Sequence, residues 1–197
     1  MENKELEISQ NNFMNNEIWM NVIGAAFQGS NVYKKKINKG KKSHFKFMLK
    51  GLMDNVILNN YKNGPVDDEE HVNNIYKIKE FSSNFSEIFN NGSINFGISQ
   101  KILNLYLKYL WCLKKIDPPP HFPVDGIIQK ELINATKDII SDNIKIEPWT
   151  KFNNEKHYLK IINLARKLSK TNPYINFKPA EIELELFNRR GVLNYND

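Results

Sequence analysis

The chain has 197 residues, a net charge of +6 and a pI near 9.2, with 41% hydrophobic and 12% aromatic residues. That apolar content supports a packed interior and excludes a disordered chain. Its one cysteine, Cys112, excludes an internal disulfide framework, an all-cysteine zinc site and a four-cysteine cluster. The first fifteen residues are polar, and the apolar stretch Leu103–Leu113 is interrupted by Asn104 and Lys108. A cytoplasmic protein with no membrane partner is therefore expected.

Residues 1–11 read as a disordered N-terminal tail, and residues 12–197 as a single all-helical domain. From Phe13, the positions Ile18, Trp19, Val22, Ile23, Ala26 and Phe27 recur at helical spacing up to Gly29. A lysine-rich loop follows. Phe45, Phe47, Met48, Leu49, Leu52, Met53, Val56, Ile57 and Tyr61 then predict a helix apolar nearly all round, so residues 42–62 are expected to be buried. Asn63-Gly64-Pro65 closes it.

Asp67 to Glu70 open a third helix, with acids in the first turn where the macrodipole favours them. Helical spacing continues through Phe81, Phe85, Ile88 and Phe89 to Asn91-Gly92. A short hairpin over residues 93–99 leads into a strongly apolar helix, which Pro118, Pro119 and Pro120 terminate. Asp125 stands at an N-cap position before Ile127, Ile128, Leu132 and Ile133. Tyr158 to Leu168 mark another helix, and Pro179 sits at the first position of the last. No alternating run of strand length occurs, so the predicted class is all-α, with at least seven helices arranged as one body or as two lobes around a cleft.

Lys34, Lys35, Lys36, Lys39, Lys41, Lys42, Lys46 and Lys50 fall in one stretch with no acid among them. Such a run is either a solvated loop or a phosphate-contacting patch with salt-dependent, sequence-blind affinity. The second reading makes DNA the expected partner, with Lys34, Lys35, Lys36, Lys41 and Lys42 touching its backbone.

The stretch from Phe96 to Gly126 carries the most chemistry. Gly97 permits a tight turn, the first amides of the following helix form a potential phosphate cradle, and Lys101 sits in that helix's opening turns. A cation there opposes the macrodipole unless an anion or a task holds it. Asp125 follows Lys101 by 24 residues, after a proline-stiffened return.

Gly97-Ile98-Ser99-Gln100-Lys101 resembles the hairpin signature of the helix-hairpin-helix DNA glycosylase superfamily, a glycine–hydrophobe–glycine–x–lysine motif. Pro123-Val124-Asp125 resembles its downstream partner, an aspartate capping the next helix. The resemblance covers about residues 85–135, with the helix-hairpin-helix element at about 85–114. Ser99 replaces the second glycine, Phe96 replaces the common proline, and the lone cysteine restricts the match to the cluster-free branch. The resemblance implies a glycosylase with AP-lyase activity, acting in DNA repair on a modified or damaged base. Lys101 would be the nucleophile and Asp125 its electrostatic and proton-transfer partner. Gly97, Ile98, Ser99 and Gln100 would contact DNA, and no cofactor is expected.

Trp19, Trp111 and Trp149 are candidates for a base pocket, although core packing is the commoner role for each. His44, His71, His121 and His157 are scattered without metal-ligand spacing, so no metal is expected. Glu181, Glu183 and Glu185 read as one polar edge of the last helix. Two alternatives stand beside the enzyme reading: a non-catalytic helical nucleic-acid-binding protein, and a helical protein-interaction or defence-system component.

Overall fold

In the computed structural model, which describes residues 2–139 and 144–187, the chain is helical and contains no strand among those residues. One isolated antiparallel bridge joins Tyr33 to Phe89. The first helix, α1, runs Glu2–Phe27, so the expected N-terminal tail is helical from its second residue. The physical reason is propagation. No proline or glycine interrupts the chain before Gly24, and each residue added to an anchored helix gains a hydrogen bond without a new nucleus. The anchor is the inner half, where Ile18, Trp19, Val22, Ile23 and Ala26 are buried; Leu6, Ile8 and Phe13 on the outer half are exposed.

Helix α2 (Lys39–Leu52) starts at Asn38, whose side chain accepts from the Gly40 amide. It continues through a π-helical turn, Met53–Ile57, into α3 (Leu58–Lys62). Only one stripe of this run is buried: Phe45, Leu49, Met53, Ile57, Leu58 and Tyr61. Phe47, at 73% exposure, Met48 and Val56 face outward, which corrects the expectation of burial over residues 42–62. Four-residue spacing in a regular α-helix drifts by about 40° per step. The wider π turn lets that drift fall back and keeps the stripe on the core.

Helix α4 (Asp68–Ser83) begins as anticipated, with the Asp67 carboxylate accepting from the Glu70 amide and three acids in the first turn. It ends at Ser83, and residues 84–92 are turns rather than a continued helix. The Ser82 hydroxyl accepts from the Ile94 amide across this connection.

Helix α5 (Phe96–Cys112) is capped by Asn95, whose side chain accepts from the Ile98 amide. Phe96 and Gly97 therefore lie inside the helix. No hairpin precedes Lys101, because an asparagine at the N-cap starts the helix three residues earlier than the glycine suggests. The other end is not set by the prolines either. Lys114 adopts φ 58°, its amide donates to Trp111 O at 2.7 Å, and the Lys115 amide donates to Leu110 O at 2.9 Å. That is a Schellman closure with lysine in the left-handed position, where glycine is usual.

Beyond the prolines come α6 (Gly126–Thr136), a 3-10 turn (Trp149–Lys151), α7 (Glu155–Leu168) and α8 (Pro179–Leu186). Helices α1 and α4 pack on α5, α6 to α8 pack on one another, and the 3-10 turn sits against α5. Among the described residues no helix is long and apolar enough to cross a membrane.

Because Lys114 pays the left-handed penalty of a residue with a Cβ, Lys114→Gly is expected to raise unfolding stability by about 1 kcal/mol. Urea denaturation at constant m-value measures this; an unchanged or lowered midpoint contradicts the assignment of this closure.

Candidate active site

Helix α5 carries polar side chains into the interior: Ser99, Gln100, Lys101 and Asn104 are all buried. Each has to find a partner, since an unpaired buried polar group costs about 1–3 kcal/mol. Gln100 finds the chain just before Asp125. Its Nε2 donates to Val124 O at 2.8 Å and its Oε1 accepts from the Val124 amide at 3.1 Å. This two-point clamp brings the next residue back to α5, where Lys101 Nζ lies 3.3 Å from Asp125 Oδ2.

Asp125 divides its oxygens between two tasks. Oδ1 accepts from the Ile127 and Ile128 amides and starts α6; Oδ2 faces the lysine. The Trp149 ring covers the amine, with Nζ 3.7 Å from the ring centroid. Side-chain exposures of 7% for Lys101 and 14% for Asp125 show how little of the pair meets solvent. The two residues therefore meet as expected, but beneath an aromatic cover rather than in an open cleft.

The cover is held from three sides. Asn95 Nδ2 donates to Thr150 O at 2.6 Å, and the Gly97 amide donates to Phe152 O at 3.0 Å. Gln129 Nε2 donates to both Asp125 O and Glu147 O, while its Oε1 accepts from the Glu147 amide. Gly97 is needed because a Cβ there would lie 1.7 Å from Trp149 O. Its role is close approach of the 3-10 turn, not a positive φ.

Gly97, Ile98, Ser99 and Gln100 were expected to meet DNA. All four are buried, and the Gly97, Ile98 and Ser99 amides are taken by Phe152 O, the Asn95 side chain and Asn95 O. The start of α5 thus offers no free phosphate cradle at these amides. Of the tryptophans, Trp149 alone joins the lysine. Trp19 packs edge-on to Tyr106 between α1 and α5, with centroids 5.8 Å apart, and Trp111 borders a separate cavity with Lys114 and Lys115 at the far end of α5. In the basic stretch, Lys34 Nζ donates to Ser86 O and Lys42 lies over the Tyr33 ring, while Lys35, Lys36 and Lys41 are exposed.

Two features were hidden from sequence reading. The first is a buried hydrogen-bond chain. Asn74 donates to Tyr61 Oη, which donates to His71 Nδ1, and His71 Nε2 donates to Asn104 Oδ1. Asn104 Nδ2 donates to Gln100 Oε1 and to Tyr158 Oη. Tyr158 in turn meets His121 Nδ1, whose Nε2 donates to Asp68. With His71 neutral this ordering puts its proton on Nε2; Arg166 Nη2 lies 3.3 Å from His121 Nε2 and shares the Asp68 carboxylate with it. The two rings, far apart in sequence, lie 4.5 Å apart between centroids. Burial holds both below the usual histidine pKa. Among the described residues, no group of three or more potential ligands gathers to hold a metal.

The second is Glu183. Rather than a polar edge, it is 1% exposed and accepts from Lys108 Nζ at 2.9 and 2.7 Å. The Phe187 ring covers that amine in turn. Burial pushes the Glu183 carboxyl up to about 7, Lys108 opposes the shift, and the charge of Asp125 adds to it. The signal available in the sequence was the pair Lys101 and Lys108, seven residues apart on one helical face.

No family model matches the chain, and no curated protein or solved structure matches it either.

Two outcomes follow. Gly97→Ala should displace the 3-10 turn, costing about 1–3 kcal/mol as overpacking does, and expose Trp149; a blue-shifted or unmoved tryptophan emission would contradict the close approach. For pH, the two histidines have depressed folded pKa values, so their stabilisation is present above about 6.5 and is lost as pH falls. Each contributes a slope of up to about 1.4 kcal/mol per pH unit. Glu183 has a raised folded value and acts oppositely: its contribution is full below the unfolded carboxylate value and is lost as pH rises through about 7. Glu183→Gln should therefore steepen the loss of stability between pH 6.5 and 5 in urea titrations; a shallower loss refutes the assignment.

Proposed function

We propose that the chain is a lysine-dependent DNA glycosylase with AP-lyase activity, similar in chemistry to the cluster-free helix-hairpin-helix glycosylases. One observation carries the reading: the Lys101 amine lies 3.3 Å from an Asp125 oxygen that its helix-capping task leaves available. In this scheme an extruded nucleotide displaces the Trp149 ring and brings its anomeric carbon to Lys101. The amine gives its proton to Asp125 Oδ2 and attacks that carbon with its lone pair. The glycosidic C–N bond breaks, and the base leaves with the bonding pair and takes up a proton. Asp125 supplies that proton, and the carboxylate so restored stabilises the positive charge developing on the sugar. Asp125 carries a proton from the attached nitrogen to the ring oxygen as the sugar C–O bond breaks and the Schiff base forms; it then takes the C2′ proton, and the 3′ phosphate leaves with its C–O bonding pair.

Two further features support the reading. The buried Trp149 indole N–H has no hydrogen-bond partner among the described residues, so lifting this cover breaks no hydrogen bond of the ring. The basic stretch docks through Lys34 on Ser86 O, in the turns between α4 and α5, and leaves Lys35, Lys36 and Lys41 exposed to a phosphate backbone. The burial of the pair also favours a second reading, in which Lys101 and Asp125 form a static clamp between α5 and α6.

Borohydride trapping on a panel of duplexes carrying lesions or abasic sites separates the two. The enzyme reading expects a covalent adduct that Lys101→Gln abolishes with DNA affinity nearly unchanged. Asp125→Asn keeps the cap and should slow base release by about 10²-fold. Absence of any adduct across the panel, with Lys101→Gln only losing stability, leaves the static clamp.

A further inference from the structure

The amides that open α5 are occupied, so a strand whose nucleotide reached Lys101 would need its phosphate held elsewhere. The loop residues Ile144, Lys145 and Glu147 and one side of α7 border a cavity of about 580 Å³, the size of a small-molecule site. Among the described residues Lys145, Lys160 and Lys167 contribute to its lining, with Glu147 the carboxylate beside them. His157 forms part of the wall. Its Nε2 donates to Gln129 Oε1 at 3.0 Å, which leaves Nδ1 as the lone-pair atom, 3.4 Å from Glu147 Oε1. Two acceptors facing each other gain from a shared proton, so His157 can add a positive charge to those of Lys145 and Lys160. Without an anion, burial and Lys160 hold His157 below its usual pKa while Glu147 opposes them.

Gln129 ties this cavity to the candidate active site. The same side chain receives His157, pins both backbone groups of Glu147 and donates to the Asp125 carbonyl. Trp149, the cover of Lys101, lies two residues beyond Glu147. We infer that this cavity is an anion site that holds a backbone phosphate of the nucleic-acid strand beside the nucleotide presented to Lys101 and Asp125, an assignment that rests on the reading above. The shared chemistry is a phosphate among lysines with a protonated imidazole, and the volume leaves room for the attached sugar.

The test follows the His157 ring by NMR in the full chain while inorganic phosphate, a free nucleoside monophosphate or a short 5′-phosphorylated single-stranded oligonucleotide is added. Bound phosphate is expected to raise the His157 pKa, and the oligonucleotide to act at lower concentration than either small probe. The response should persist in Lys101→Gln and vanish in Lys145→Gln/Lys160→Gln. In that double variant the salt dependence of oligonucleotide affinity should become shallower by about 0.7 in log–log slope, one single-strand phosphate contact. No response of His157 to any probe overturns the anion site. A response to the small phosphates without one to the oligonucleotide overturns the strand assignment in favour of a small phosphorylated ligand. A retained oligonucleotide response in a protein that never traps on DNA rejects the lysine chemistry and keeps the cavity.

Discussion

The structure depends on how α5 satisfies the polar groups it carries into the core. A helix buried on most of its surface has no water to offer these groups: Ser99 turns back to Asn95 O at its own N-cap, and Gln100, Lys101 and Asn104 are met by other parts of the chain. The partners come from far away in sequence: Val124 and Asp125 from the return after the prolines, Tyr158 from α7, and His71 from α4. Hydrophobic contact alone would let these elements slide. The directional bonds from α5 set their register, and the asparagines and glutamines act as the fasteners.

The same constraint shapes the site. Gln100 and Lys101 are neighbours on α5, and their partners, Val124 and Asp125, are neighbours on the return. One side chain positions the backbone so that the next can meet its ion partner. Gln129 repeats the device on α6, joining the Asp125 carbonyl to the loop that carries Trp149. Two lysines on one face of α5 end under aromatic rings, each beside a carboxylate, and the two carboxylates feel one another. Closing such a pair away from water strengthens its electrostatics.

The fold's local features were legible in the sequence for local reasons. Helical spacing from Ile18 to Phe27, the acids opening α4, Asp125 before Ile127 and Pro179 at the head of α8 all act through bonds within one helical turn. Where a local rule competed with another, the reading slipped. Gly97 suggested a hairpin, but Asn95 capped the helix ahead of it; the three prolines suggested a stop, but Lys114 had already closed α5. Phe47 and Met48 suggested burial, which composition cannot assign to one face of a helix.

The sequence by itself determined the all-helical class, most of the helix starts and the two residues, Lys101 and Asp125, worth placing together. Tertiary structure alone decided that Glu183 is buried beside Lys108, that His71 and His121 lie against one another, and that Trp149, rather than Trp19 or Trp111, covers the lysine. The physical reason is range. Caps, turns and periodicity are settled within a few residues, whereas burial of a charge and the partner of a side chain depend on which distant segments the core brings to it.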